Sequence, residues 1–413
     1  MQQLLIIGKV WPEPNSSAAG SRTLQLIDVF KEQGWKINFA CAAGESLYAT
    51  NLENSGVHKF NIEINNSDFE ELLKTLQPDL VIFDRFTTEE QFGWRVAEIC
   101  PKALRVLDTI DLHCLRSARQ LAVKENRNFV LRDILKLDVA KREIASIYRC
   151  DISLMISGVE MEILNTIFKV DKSILHYIPF LLEHLGDSQT SDWRTFSQRE
   201  HFVSIGNFLH EPNWDAVLYL KKEIWPLLRK QSPKAELHIY GAYASQKVFE
   251  LHKPTEGFLI KGRAENAMEV MSKARICLAP LRFGAGMKGK LIDAMLCGTP
   301  SITSSIGSES MHPSLDWSGV ISDSAESFAE AAVHLYHNEG DWKRCQQNGI
   351  KIINQVFDKK NHVGIFMEKI NAVLSDLENH RQTNFTGAML QHHVAASTKY
   401  MALWIEAKNK TPQ

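Results

Sequence analysis

The chain of 413 residues is 44% apolar and 23% charged with a formal net charge of −2 at pH 7, so it has room for two domains of ordinary size and lacks the basic balance of a nucleic-acid binder. Its seven cysteines, at 41, 100, 114, 150, 277, 297 and 345, are scattered and form no Cys-x-x-Cys pair, which reads as buried reduced thiols and argues against zinc. No apolar run approaches the roughly 20 residues that cross a bilayer, and the opening Met-Gln-Gln-Leu-Leu-Ile-Ile-Gly has no basic leader, so a cytoplasmic protein is expected, any membrane contact being peripheral at the inner face.

Residues 4–7 form a short apolar run and 8–20 a loop, after which Leu24, Leu26, Ile27, Val29 and Phe30 take up helical spacing that Gly34 ends. Strand, loop, helix is the opening unit of a parallel sheet. Further strands are expected at 37–40, 80–83, 103–107 and 152–156, with helices at about 68–76, 89–99 and 115–149. The polar stretch 183–200 reads as a linker between a domain at 1–182 and a second at 201–360, because aliphatic residues thin out there. The second series of strands is expected at 202–205, 236–240, 258–260, 276–279 and 301–303, with helices at 214–228 and 268–273. From about 325 the pattern is helical, and 361–413 are expected to cross back onto the first domain, ending in a helix at 388–407 whose Met389, Leu390, Val394, Met401, Leu403 and Trp404 give a partial apolar stripe. Alternation of this kind predicts two doubly wound α/β domains in series, with ligands beyond the carboxyl ends of the strands.

The most informative stretch is 281–295, LRFGAGMKGKLIDAM. A strand leads into a glycine-rich turn, then a helix start carrying Lys288 and Lys290, with Met287, Leu291, Ile292, Met295 and Leu296 on one face and a stop at Gly298 and Pro300. Two cations at a helix N-terminus oppose its dipole, so they call for an anion, and glycines let a phosphate approach the backbone. Asp293 either pairs with Lys290 or binds ligand. In the first domain Asp108, Asp111 and His113 follow one expected strand and Asp84-Arg85 another, which places them at carboxyl ends facing the same cleft. Asp84-Arg85 is equally readable as a structural ion pair, and Arg22, after Gly20, as a surface residue. Glu160, three residues after Ser157, reads as half of a capping box. Residues 116–149 carry nine Lys/Arg against four Asp/Glu, interleaved with apolar positions. That is an amphipathic segment packed on the domain or, more sharply, a basic surface that docks on an anionic membrane.

Four stretches give the chain a family likeness: Trp11-Pro12-Glu13-Pro14 with Ala19-Gly20-Ser21-Arg22; Phe202-Val203-Ser204-Ile205-Gly206-Asn207-Phe208 with Pro212-Asn213-Trp214; Phe258-Leu259-Ile260-Lys261-Gly262-Arg263; and 281–295 running into Gly298-Thr299-Pro300. Together with the tandem domains, they resemble the GT-B glycosyltransferases, specifically the large retaining group called glycosyltransferase family 4 or group 1. The resemblance implies a donor site built from Gly206, Asn207, Arg263 and Arg282 with Gly284, Ala285, Gly286, Met287, Lys288, Lys290 and Asp293. It implies an acceptor side at Gly20, Arg22, Asp84, Arg85 and Asp108, and catalytic roles for Lys288, Asp111 and His113. The activity implied is transfer of a sugar, with retention, from a nucleoside-diphosphate sugar to a hydroxyl on a glycan or lipid-linked acceptor, without metal, cofactor or nucleic acid.

The sequence also departs from that family. Where many members carry two glutamates eight positions apart, this chain has Ala285 and Asp293, and Asn207 and Asn213 replace basic residues that many members carry. Asp293 can accept from ribose hydroxyls, whereas Ala285 accepts nothing from a sugar. A GT-B-fold sugar-nucleotide epimerase and a non-catalytic nucleotide-sugar or polysaccharide-assembly binding protein therefore stand as alternatives. No Asp-x-Asp pair or Gly-Lys-Ser/Thr loop is present, which argues against a divalent-metal diphosphate site and a P-loop.

Overall fold

The computed structural model describes residues 1–410, without the side chains of 393–396 and 410. The apolar runs assemble into two all-parallel sheets. The first contains β1 (Gln3–Gly8), β2 (Lys36–Cys41), β3 (His58–Asn61), β4 (Leu80–Asp84), β5 (Leu104–Asp108), β6 (Ile152–Met155) and β7 (Leu175–Tyr177), in the order β3-β2-β1-β4-β5-β6-β7. The second contains β8 (Glu200–Ile205), β9 (Leu237–Tyr240), β10 (Phe258–Gly262), β11 (Ala274–Ala279), β12 (Ser301–Thr303) and β13 (Gly319–Ile321), in the order β10-β9-β8-β11-β12-β13. Both sheets are doubly wound, so the strand order reverses between β1 and β4 and again between β8 and β11.

Helices cover both faces of each sheet, which is why β4, β5 and β6 are buried along their whole length and read as unbroken apolar runs. Successive residues point to opposite faces: Leu5 and Ile7 enter one core of the first domain, and Leu4 and Ile6 the other. Three strands, β3, β7 and β13, are additional to those the sequence predicts. All three are sheet edges of three or four residues.

The expected helix over 115–149 is three pieces, a helix His113–Lys124, a 3₁₀ stretch Leu131–Lys136 and a helix Asp138–Arg149. Asn126, at φ 51°, ends the first with a left-handed residue, and Asp133 then holds the turn by accepting from the Val130 N–H and from Arg127. In the second domain a continuous helical run extends from Glu211 to Gln231, widened by one π turn over Leu220–Ile224. The wide turn comes immediately before Trp225-Pro226, where proline supplies no N–H and crowds the preceding turn.

The chain passes between the domains twice, and the two passes meet at Leu182, whose N–H donates to Phe357 O and whose carbonyl accepts the Lys359 N–H, each at 2.8 Å. Beyond it, the helix Val363–Ser375 places Phe366, Met367, Ile370 and Val373 in the first domain's core, with Phe366 edge-on to Phe30 at 5.8 Å. The helix Phe385–Lys410 lies on helices Phe86–Ile99 and Asp138–Arg149, tied by Lys399 to Glu98 at 2.7 Å and by Gln391 to Arg149 O at 2.9 Å. Of its expected stripe, Met389, Met401, Leu403 and Trp404 are exposed and Leu390 is half-buried, and Val394 lies outside the described side chains. No helix among the described residues is long and apolar enough to cross a membrane. The seven cysteines are buried and free.

Candidate active site

The carboxyl ends of both sheets open on one interdomain cleft of ≈ 710 Å³. On the second-domain side, β8 runs out into Gly206 and Asn207, and its neighbour β11 runs into the loop that ends at Lys288, so both flank the reversal of strand order. Lys290 Nζ donates to Asn213 Oδ1 at 2.7 Å, and Asn213 Nδ2 donates to Asn207 O at 2.9 Å. A Cβ on Gly206 would lie 2.7 Å from Asn213 Nδ2 and 2.8 Å from Lys290 Nζ, so this convergence requires glycine.

Lys288 caps the helix Gly289–Leu296 and donates through Nζ to Gly286 O at 2.7 Å. Burial pushes the pKa of Lys288 and of Lys290 down to about 8. Burial likewise raises Asp293, one turn further on, to about 6 against the pull of Lys290. The hydrophobic face expected of this helix, Met287, Leu291, Ile292 and Met295, is buried with Ile352, Ile353 and Phe357.

Gly206, Asn207, Gly284, Ala285, Met287, Lys288, Lys290 and Asp293 all line the cleft, as does Arg263, whose guanidinium lies 3.9 Å from the Tyr48 ring of the first domain. Arg282 does not. Its neighbours Leu281 and Phe283 are buried while its own side chain turns outward to an ion pair with Asp215. Gly286 is also withdrawn from the cleft and packs between the domains.

On the first-domain side, Arg85 and Ile110 line the cleft with φ of 71° and 61°, backbone strain of the sort that collects at functional sites. Asp111 is held by Arg116. Burial works to raise its pKa, but Arg116, His113 and His210 outweigh it and set the carboxyl at about 2. His113 Nδ1 is 3.1 Å from Asp111 Oδ1 and 3.4 Å from Glu143 Oε1. Glu143 accepts the N–H groups of His113 and Cys114, each at 2.9 Å, fixing that helix start with a negative charge at its positive end.

The other residues expected on the acceptor side lie beneath the wall. Arg22 is buried, with Nε 2.9 Å from Asp108 Oδ1 and Nη1 donating to Ile178 O at 2.8 Å and Pro179 O at 3.2 Å. It ties the first helix to the chain leaving the domain. Asp84 accepts the Lys9 N–H at 3.0 Å and pairs with Arg85 at 3.2 Å. Gly20 packs on the Glu13 backbone, 2.6 Å from where a Cβ would sit.

Several functional contacts escape sequence reasoning because they join the two domains. Arg119 makes a two-pronged ion pair with Glu309, and Glu13 accepts from Tyr243 OH at 2.8 Å. His210 faces Asp111 and Arg116 across the cleft. Glu160 corrects the capping-box reading. Ser157 Oγ does accept its N–H at 3.3 Å, but the Glu160 carboxylate reaches out to the N–H groups of Leu112, at 3.2 Å, and Gly286. Arg116 and Arg119, three apart on one helix face, were the available signal within the basic segment. In that segment Arg116, Arg119, Arg127, Lys136, Lys141, Arg142 and Arg149 are all ion-paired within the protein. Among the described residues no cluster of three or more His, Cys, Asp or Glu is placed to hold a metal ion.

Two doubly wound parallel sheets facing across such a cleft, with C-terminal helices returning to the first domain, define the GT-B fold. Solved structures share it at low identity. Anabaena HepE in complex with UDP and glucose is 14% identical over 90% of this chain and 100% of that one, with a TM-score of 0.63. Sucrose-phosphate synthase from Thermosynechococcus elongatus is 14% identical over 92% and 100%, TM-score 0.64. A variant of S. aureus TarM in complex with fondaparinux, alpha-GlcNAc-glycerol and UDP is 11% identical over 91% and 100%, TM-score 0.67. No curated protein sequence matches the chain. Residues 199–338, within the second domain, match the family model described as Glycosyl transferases group 1.

Proposed function

We propose that this protein transfers a sugar from a nucleoside-diphosphate sugar, held by the second domain, to a hydroxyl of a glycan or lipid-linked acceptor presented by the first. The observation that carries the reading is the pair of lysines at one helix start, Lys288 buried and Lys290 half-buried, opening on the cleft where strand order reverses. Lys288 and Lys290, with Arg263 and Arg116 along the same cleft, supply the positive charge a departing diphosphate needs, so the scheme uses no metal ion. Fixed cations aimed at charge that develops as the bond breaks stabilise the transition state more than the ground state. Asp293 takes the ribose hydroxyls. Asp111, an anion across the working pH range, and His113 face the reacting sugar and the acceptor hydroxyl. The diphosphate leaves from the face on which the hydroxyl enters, giving retention.

HepE and TarM, solved with UDP and sugars or glycans, support a nucleotide sugar and a glycan as substrates. With most of its cations paired internally, the segment 116–149 has little free charge for anionic lipid, so membrane docking there is no part of the proposal. The test is calorimetric titration with nucleoside diphosphates and their sugars, followed by transfer assays on glycan and lipid-linked acceptors. Binding of at least one nucleoside diphosphate, weakened about tenfold or more in Lys290→Ala, is expected. A wild-type protein that binds none sinks the reading.

A further inference from the structure

We propose that Glu160 is a positioning residue for sugar transfer: by joining the backbone of the loop before Lys288 to the loop carrying Asp111 and His113, it sets the spacing between donor and acceptor walls. This rests on the reading of the cleft given above. Glu160 is fully buried at the start of the helix Gly158–Thr166, behind β6 of the first domain. One carboxylate oxygen accepts the N–H of Leu112, next to Asp111 in the same domain, and the other accepts the N–H of Gly286 in the second domain. A carboxylate removed from water needs such donors to offset its desolvation, and one of the two is present only while the domains are together.

The contact continues into the site. The Gly286 carbonyl accepts Lys288 Nζ at 2.7 Å, so the residue whose N–H Glu160 holds also presents, in its next peptide group, the oxygen that aims the Lys288 ammonium. Burial, and after it Asp111, push the Glu160 pKa up to about 8, while the Gly286 N–H and Lys288 favour its charged form and limit the rise. The spacing has little slack. Gly286 sits at φ 62°, and a Cβ there would lie 2.9 Å from both Asp111 Cβ and Ile110 O. Ala285 is buried among core residues of the first domain. A residue serving only the first domain's fold would have no need of a second-domain N–H group.

The test compares full-length wild type, Glu160→Gln and Gly286→Ala in steady-state transfer and in calorimetric binding of the nucleoside diphosphate that wild type binds. Glutamine keeps the shape but turns an NH₂ toward one of the two N–H donors, so kcat should fall about tenfold or more, the loss expected when a buried N–H is left without its acceptor. Diphosphate affinity, which keeps Lys290 and Arg263 in place, should fall by less than kcat, with the melting temperature close to wild type, a split that general destabilisation would not produce. Glu160→Asp, keeping the charge at shorter reach, should recover part of kcat. Gly286→Ala pushes the same loops apart from the other side and should reproduce the kcat loss, so it decides the matter even where Glu160→Gln fails to fold. Wild-type kcat in folded Glu160→Gln or in Gly286→Ala overturns the role of Glu160 and leaves the reading of the cleft standing. A wild-type protein that binds no nucleoside diphosphate overturns both.

Discussion

Arg119 of the first domain grips Glu309 of the second through both terminal nitrogens, at 2.9 and 2.6 Å, and its Nη1 also donates to Gly284 O at 2.9 Å. Paired planar geometry of this kind is the strongest form of ion pair, and here it spans the cleft and holds the loop before Lys288 against the first domain. Arg119→Met removes the clasp and leaves a mostly buried carboxylate without its cation, which costs on the order of 3–5 kcal/mol, charged against the closed arrangement. Small-angle scattering of the ligand-free variant should show a larger radius of gyration than wild type. An unchanged scattering profile would mean that the pair does not hold the domains together.

Lys288 and Lys290 give donor binding a defined pH dependence. With both pKa values pushed down to about 8 by burial, each is a cation below that pH and loses its charge above it. A bound diphosphate favours the charged form and so raises both values. Affinity is therefore expected to be level below about pH 7 and to fall above 8 by up to about tenfold per pH unit for each lysine. Calorimetric titrations from pH 6 to 9.5 check this, and in Lys290→Ala the decline should be shallower. A wild-type affinity that rises with pH contradicts the assignment.

Gly206→Ala tests the convergence on the donor wall. The added methyl meets the flexible ends of Lys290 and Asn213, which can move aside at small cost to folding but then no longer point at the ligand. Diphosphate binding should weaken about tenfold, the loss expected for one charge-assisted hydrogen bond, with a melting temperature within a few degrees of wild type. A normal dissociation constant would show that this geometry is not used.

Arg22 and Asp108 should affect stability first. Both are buried and their ion pair links the first helix to the interdomain crossing. Burial already raises the Asp108 pKa against the pull of Arg22, so Arg22→Leu leaves an acid with no cation and should cost about 3–5 kcal/mol in urea unfolding. The double variant Arg22→Leu with Asp108→Leu should recover part of that loss. If the double variant is less stable than the single, packing rather than charge sets the effect.

The buried strands were legible because residues covered on both faces must be apolar, and runs such as 80–83 announce this directly. The edges β3, β7 and β13 were not. Half of each such strand meets solvent, and His58-Lys59-Phe60-Asn61 carries no unbroken apolar run. In the proposed donor site, Lys288, Lys290 and Asp293 lie on one local strand, loop and helix pattern, and Gly206 directly follows another strand, which is what a sequence displays. Arg282, within that stretch, was misplaced because side-chain direction in an irregular loop follows packing. Arg22 and Asp108 carry the residue types of a site but satisfy each other. Glu160 and Gly286 are 126 positions apart and Arg119 and Glu309 are 190. Their pairing exists only once two separate sheets have come together, and local spacing holds no trace of it.

The meeting of the two passes at Leu182 bears on how the molecule is made. The second domain leaves and rejoins the first at one point, and the first acquires Phe366, Met367, Ile370 and Val373 only from the far side of that point. Synthesised from the N-terminus, the chain completes its second domain while one face of the first still lacks its cover. The order of maturation is thus the reverse of the order of sequence, and the last helices to emerge close the domain that began first.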